Sequence, residues 1–369
     1  DPTDSELEML LNDPAFAEVA ELAVELEETG PGPKWQPIVT LEVGGGYKDN
    51  ILLSPLLPEG SLLTRSALDL IVLRDANDGL EAFVFGSWEQ IRFEKSEADD
   101  EVTAILTADV KKETESGWDL SLNAQYIYTD QVVDLSDDPL LPISLRIQGH
   151  AASTTIRARR YLPKRYWAEL GMEVSRSDFI PPLDDYWAYL PRAEVAKWWG
   201  QNHLAFSYVF MARPYDTREE ADAIGFAVAG TGLQYDTHRL EFQWRQKWGK
   251  DSAWKTRTRL RRELRFDNGS GFYNSRGWRI DQKIRYRRGK WSVAGEVASS
   301  YKSYPNQFPI APLQDVRDRL DWNFRCRVDR EISRHWKGYI AFDHETSESN
   351  ERNASYSVNF VHAGLVFER

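Results

Sequence analysis

The densest chemistry in the chain is a run of cationic side chains at every second position between Arg239 and Arg330. Lys255, Arg257, Arg259 and Arg261 alternate with Trp254, Thr256, Thr258 and Leu260. Arg279, Asp281, Lys283, Arg285 and Arg287 alternate with Trp278, Ile280, Ile284 and Tyr286. These 92 residues hold 23 of the 46 Lys and Arg, against 10 Asp and Glu. A guanidinium is always protonated and binds carboxylate, sulfate or phosphate in a bidentate way, so a wall of them selects anions. The candidate anion-facing set is Lys255, Arg257, Arg259, Arg261, Arg265, Arg279, Lys283, Arg285, Arg287, Arg319, Arg325 and Arg327. Glu263, Asp281, Asp321 and Asp329 share its parity, so the competing reading is a salt-bridge lattice. Ser292, Ala294, Ala298 and Ser300 are small residues that leave room beside the wall.

Other chemistries find little support. The histidines at 150, 203, 238, 335, 344 and 362 show no metal-ligand spacing, and no metal or cofactor is expected. His344, with Glu345 and Ser347 nearby, is the one place to look for a hydrolase, and the chain is not expected to be an enzyme. Gly44-Gly45-Gly46 lacks the Lys-Ser/Thr and helix of a phosphate loop. No recognisable fold makes the basic stripe a nucleic-acid surface, so no nucleic-acid partner is expected. Tyr186, Trp187, Tyr189, Trp198 and Trp199 crowd the stretch from Phe179 to Gly200, which reads as the longest connector. Such a loop either narrows a pore and stacks on sugar rings or packs on a rim.

The elements that must position these groups are strands. A period of two sends successive side chains to opposite faces, and one face here is apolar and aromatic while the other is cationic. If the apolar face meets lipid, the cations line an interior; the reverse would put a dozen cations in hydrocarbon at about 2 to 4 kcal/mol each near the midplane. About sixteen strands are counted from Trp35 onward. They include one over Ile224–Gln234 and a closing one over Tyr356–Phe367. Turn formers at residues 75–79, 113–117, 163–164 and 288–289 make short connectors, and residues 50–60, 132–142, 179–200 and 303–315 make long ones. Short connectors follow even strands and long ones odd strands.

Residues 1–33 form a separate segment with ten acids and no base. Ser5 with Glu8 suggests a capping box, and Asp13-Pro14 a second helix start. Phe16, Val19, Leu22, Ala23 and Leu26 recur at helical spacing opposite Glu18, Glu21, Glu25 and Glu28, before the linker Thr29-Gly30-Pro31-Gly32-Pro33. This acidic amphipathic helix would cap the molecule, dock a protein partner through residues 4–28, or plug a basic interior. The net charge of -12 therefore hides a strong asymmetry, with -10 over residues 1–33, -13 over 34–238 and +13 over 239–330.

Length and composition are compatible with one large all-β domain over residues 34–369. No stretch approaches the roughly 18 apolar residues of a membrane helix, a test that transmembrane strands evade. Cys326 is the single cysteine, which excludes an internal disulfide. Asp1-Pro2-Thr3-Asp4 has no signal-like character, so a processed chain is expected. The 14 Trp, 16 Tyr and 16 Phe suit interfacial girdles.

Alternating hairpins, an opening strand ending Gly46-Tyr47-Lys48-Asp49-Asn50 and the closing strand Tyr356–Phe367 together resemble a Gram-negative outer-membrane β-barrel of the porin-like kind, over residues 35–369. The chain departs from that pattern in following Phe367 with Glu368 and Arg369. The resemblance implies a closed antiparallel transmembrane β-barrel in the outer membrane, with lipids as neighbours. Its basic lumen would serve as a channel or export conduit for an anionic solute or acidic polysaccharide. The alternatives are a non-conducting scaffold that docks a periplasmic partner through the acidic helix, and a soluble β-sandwich or propeller, for which no blade-length repeat is visible.

Overall fold

The computed structural model describes residues 35–74, 79–95, 100–134, 144–249, 252–308, 315–351 and 354–369. The acidic segment 1–33 and residue 34 lie outside the described residues, as do 75–78 and 250–251 in two short turns and parts of four long connectors. Sixteen strands follow in order: β1 (Trp35–Lys48), β2 (Ser61–Arg74), β3 (Leu80–Phe93), β4 (Glu101–Glu113), β5 (Trp118–Asp134), β6 (Ser144–Leu162), β7 (Tyr166–Phe179) and β8 (Tyr186–Trp199), then β9 (Asn202–Pro214), β10 (Gln234–Trp248), β11 (Trp254–Asp267), β12 (Ser275–Arg288), β13 (Trp291–Tyr304), β14 (Arg317–Glu331), β15 (Trp336–Ser349) and β16 (Tyr356–Glu368). Each pairs antiparallel with its sequence neighbours, and β1 pairs with β16 to close the barrel. Closure leaves no edge, which is what a lipid-facing sheet requires.

The seam between β1 and β16 explains the glycine run. Gly44 pairs with Gly364, and a Cβ on either would run into the partner strand's backbone and the Tyr339 ring. Only hydrogen side chains let the strands meet while Tyr339 lies across them.

Outward faces carry the apolar parity. Leu240, Phe242, Trp244, Leu260, Trp278, Ile280, Trp322 and Phe324 are all exposed, as a lipid-contacting belt demands. Six of the eight odd strands open on an aromatic residue at the short-turn rim: Trp35, Trp118, Tyr166, Trp254, Trp291 and Trp336. Tyr47, Trp187, Tyr189, Phe266 and Tyr301 sit at the opposite rim. These are two aromatic girdles flanking an apolar band.

Two elements differ from expectation. The stretch from Phe179 to Gly200 is not a long loop, because Tyr186–Trp199 is strand β8 and only six residues, 180–185, connect it to β7. Its inward residues Tyr186, Ala188 and Leu190 are as apolar as its outward ones, since they pack under another loop, so the polar and apolar parities cannot be told apart. Pro191 adds to the disguise: pairing to β9 passes from Tyr189 to Arg192, skipping Leu190 and Pro191, the latter with no N–H to donate. Conversely, the strand expected over Ile224–Gln234 does not form there, and all of it but Gln234, which opens β10, is loop. It belongs to the loop 215–233, where the Asp222 carboxylate accepts the backbone N–H groups of Ile224 and Phe226 and Gly225 takes a φ of 94°. Local side-chain bonds there outcompete ladder formation. One missed strand and one false strand cancel, and the count of sixteen stands.

Candidate functional site: a two-sided lumen

All twelve cations of the candidate set take the inward parity of β11, β12 and β14, and cross-lumen contacts fix that orientation. Arg327 reaches Glu42 of β1 at 2.9 Å across two intervening strands, and Lys48 of β1 reaches Glu101 of β4 at 3.5 Å. Such pairs can form only inside the barrel. Leu260, between Arg259 and Arg261, is 41% exposed on the lipid side, whereas Arg261 is 6% exposed inside.

The wall is not uniform along the barrel axis. Toward the long-loop rim it is an ion-pair lattice. Glu241 lies 3.4 Å from Arg259 and 3.5 Å from Arg261, and Glu263 lies 3.3 Å from Arg239 and 3.9 Å from Arg265. Asp281 holds Arg279 at 2.9 Å and Asp321 holds Arg319 at 2.6 Å. Toward the short-turn rim, register sets cation against cation. Lys247 faces Lys255, which faces Arg285; one row further in, Arg245 faces Arg257, which faces Lys283. Directly opposed like charges repel across a sheet; here Gln243 accepts a hydrogen bond from Arg245 at 2.9 Å and Glu296 stands opposite Lys283. Arg287 and Arg325, flanking the rows, reach Glu331 at 3.4 Å and Asp343 at 3.5 Å. Beside them β13 presents Ser292, Ala294 and Ala298 inward, with Glu296 opposite Lys283 and Arg325.

The long-loop mouth is narrowed by a segment the sequence reading did not single out. Loop 215–233 folds onto the lumen side of β8 to β10, where Ala221 and Leu233 pack with Tyr186, Met211, Tyr215, Tyr235, Phe272 and Tyr273. Arg213 lies over the Tyr186 ring at 4.4 Å and Arg265 over Tyr235 at 5.2 Å, while Arg218 of the loop stacks over Tyr273 at 5.1 Å. Each such contact contributes about 0.5 to 2 kcal/mol. Arg176 anchors the loop through Asp216 at 2.7 Å, and its donated hydrogen bond holds that carboxyl below the usual aspartate range. Gly225, Gly230 and the Asp222 turn were the available signals for a compact loop; the Ile224, Phe226, Val228 alternation concealed them.

The proposed constriction residues are therefore dispersed. Trp187, Tyr189 and Trp199 face outward into the girdles, Tyr186 is buried under loop 215–233, and Trp198 stands inward at the short-turn rim against His203, ring centroids 4.3 Å apart. His344 and Ser347 leave opposite faces of β15. The His344 imidazole contacts Asn359 at 2.9 Å, while Ser347 is buried inside, so the two cannot act together. Among the described residues no group of His, Cys, Asp and Glu could hold a metal ion.

Opposite the basic wall lies an apolar one. Ile71, Phe85, Ile105 and Ile127 form an inward cluster on β2 to β5, flanked by Ile38, Leu73 and Phe83. It is a feature the sequence reading passed over, because these positions share their strands with polar inward residues such as Asp69, Ser87 and Thr107.

No family model and no curated protein matches the chain. Among solved structures it is similar to an anion-selective porin from Comamonas acidovorans, at 12% identity and TM-score 0.46, over 91% of this chain and 99% of that one. It is also similar to a BenF-like porin from Pseudomonas fluorescens Pf-5, at 9% identity and TM-score 0.45 over 91% and 99%, and to OmpT, an outer membrane protein of Vibrio cholerae, at 10% identity and TM-score 0.45 over 93% and 100%. The barrel's own surface makes the assignment: a closed antiparallel wall of sixteen strands, an apolar belt, two aromatic girdles and connectors that alternate short and long are those of an outer-membrane β-barrel.

Proposed function

We propose that this barrel is a passive outer-membrane channel or export conduit whose lumen favours an anionic solute or an acidic polysaccharide. The observation that carries the reading is the pair of like-charge rows, Lys247–Lys255–Arg285 and Arg245–Arg257–Lys283. Directly opposed side chains start from Cβ atoms about 5 Å apart, so the rows gather six cations into one small area of wall, and a carboxylate or sulfate entering there meets several of them at once. The ion-pair lattice nearer the long loops holds the wall's shape, so the rows stay presented without an added solute. Small side chains on β13 give a chain-like anion a path past the rows.

The test is single-channel recording in planar bilayers under a salt gradient, on the intact chain and on a chain lacking residues 1–33. A reversal potential on the anion side is expected. Replacing Arg257, Lys283 and Arg285 with Gln should bring it toward zero, whereas a cation-favouring potential in the unsubstituted barrel would overturn the reading.

A further inference from the structure

The barrel's outer surface carries charge of one sign at its short-turn rim. The outward positions there hold Arg74, Lys112, Arg160, Lys197, Arg288 and Arg330, and among the described residues no Asp or Glu shares those positions. The long-loop rim mixes signs and pairs them, Arg146 with Asp130 at 2.7 Å and Arg176 with Asp178 at 2.7 Å. Three of the short-turn cations lie over girdle rings: Arg160 over Trp118 at 5.4 Å, Lys197 over Tyr166 at 4.4 Å and Arg330 over Trp291 at 5.1 Å. Such stacking holds a charged head at the edge of the apolar band, with its stem against the ring.

One sector of this rim is also hollow. Register places Arg288, Trp291, Arg330, Gly338 and Leu365 side by side across β12 to β16, with Val293, Val328, Ile340 and Ala363 in the next outward row. Gly338 and Ala363 lack the bulky side chains that fill the belt elsewhere, and a groove of about 600 Å³ lies over them, within the range of pockets that hold small molecules. Trp291, Val328 and Ile340 wall it. Ile332 of the β14–β15 turn borders it, since a Cβ on Gly338 would meet Ile332 Cδ1 at 3.4 Å. Lys290, Arg330 and Glu331 line its rim end. The Glu331 carboxylate lies 3.4 Å from Arg287, so the charge left facing the groove is positive.

We infer that this groove binds one anionic glycerophospholipid, an acyl chain lying over Gly338 and Ala363 and the phosphate between Arg330 and Lys290. Continuity and charge commit the occupant. The groove opens on the lipid-facing belt, so an acyl chain enters it without leaving hydrocarbon. Short turns face the periplasm, and the headgroups of that leaflet lie at the level of the aromatic girdle, where Arg330 is held. A guanidinium binds phosphate in a bidentate way, and each basic residue near a membrane surface adds attraction for anionic headgroups. Arg288 and Arg334, also exposed at this corner, favour a headgroup with net negative charge over a zwitterionic one. The site is outside the lumen and does not depend on what passes through it.

Native mass spectrometry tests it on the intact chain, extracted in mild detergent from vesicles of equal phosphatidylglycerol and phosphatidylethanolamine. One phosphatidylglycerol should stay bound per barrel, in preference to phosphatidylethanolamine. Arg330→Gln and Lys290→Gln should each lower its retention by about fivefold. Gly338→Leu, which fills the groove and leaves both cations, should lower it at least as much. Arg160→Gln, at the same rim but away from the groove, should leave retention unchanged, and so should added inorganic phosphate. Heat-modifiable mobility on unboiled gels confirms that each variant is folded. Equal retention of the two lipids by the unsubstituted barrel, retention indifferent to Gly338→Leu, or an equal loss in Arg160→Gln would overturn the site. Release of the lipid by inorganic phosphate would overturn it too, and reassign the cations to a small free anion.

Discussion

At the scale of single residues, the two sides of one strand obey opposite rules. Leu260 and Arg261 are neighbours in β11, yet one meets acyl chains and the other an enclosed polar wall. Leu260 sits near the middle of its strand, so Leu260→Arg should cost about 2 to 4 kcal/mol of barrel stability. Urea unfolding in lipid vesicles would measure it, and an unchanged midpoint would contradict the lipid-facing assignment. The inward cations were legible from alternation alone, because a cation in hydrocarbon is too costly for any other orientation. Which of them stand directly opposite a like charge was not. Whether Arg257 meets a carboxylate or another cation depends on which residue of β10 and β12 register places beside it, and the sequence of β11 does not contain that information.

At the scale of elements, the seam and the inward loop are the informative parts. Gly364→Val would drive a side chain into the backbone of β1 and the ring of Tyr339. The expected outcome is loss of the folded, heat-modifiable band on unboiled gels, with Gly364→Ala intermediate. Loop 215–233 should respond to acid. Arg176 depresses the Asp216 pKa, so the attachment is complete at neutral pH and fades as pH falls below the ordinary aspartate value of 3.8 and through the depressed one. Loop amides should lose hydrogen-exchange protection over that window, while Asp216→Asn should show low protection at every pH. Shortening residues 217–231 to a tight turn should widen the mouth and raise conductance. The alternation of short and long connectors was readable beforehand from turn-forming residues. Strand β8 was not, because the loop buried against its inner face erases the polar parity on which a strand is recognised.

For the molecule as a whole, sixteen antiparallel strands closed between β1 and β16 create an interior with an apolar side and a basic side. Salt should therefore tune the barrel. Raising ionic strength from about 0.1 M to 1 M shortens the screening length from about 10 Å to about 3 Å. The anion preference of the reversal potential should shrink accordingly, and a preference independent of salt would indicate selection by lumen shape rather than by charge. The sequence by itself determined the strand periodicity, the sign of each face and the alternation of short turns with long loops. Each follows from local chemistry: the pleat, the cost of a charge in lipid, and the backbone preferences of turn residues. Only the tertiary structure decided which cations oppose one another, which loop bends into the lumen and which wall faces the basic one. Those are relations between residues far apart in the chain, brought together by barrel closure and strand register.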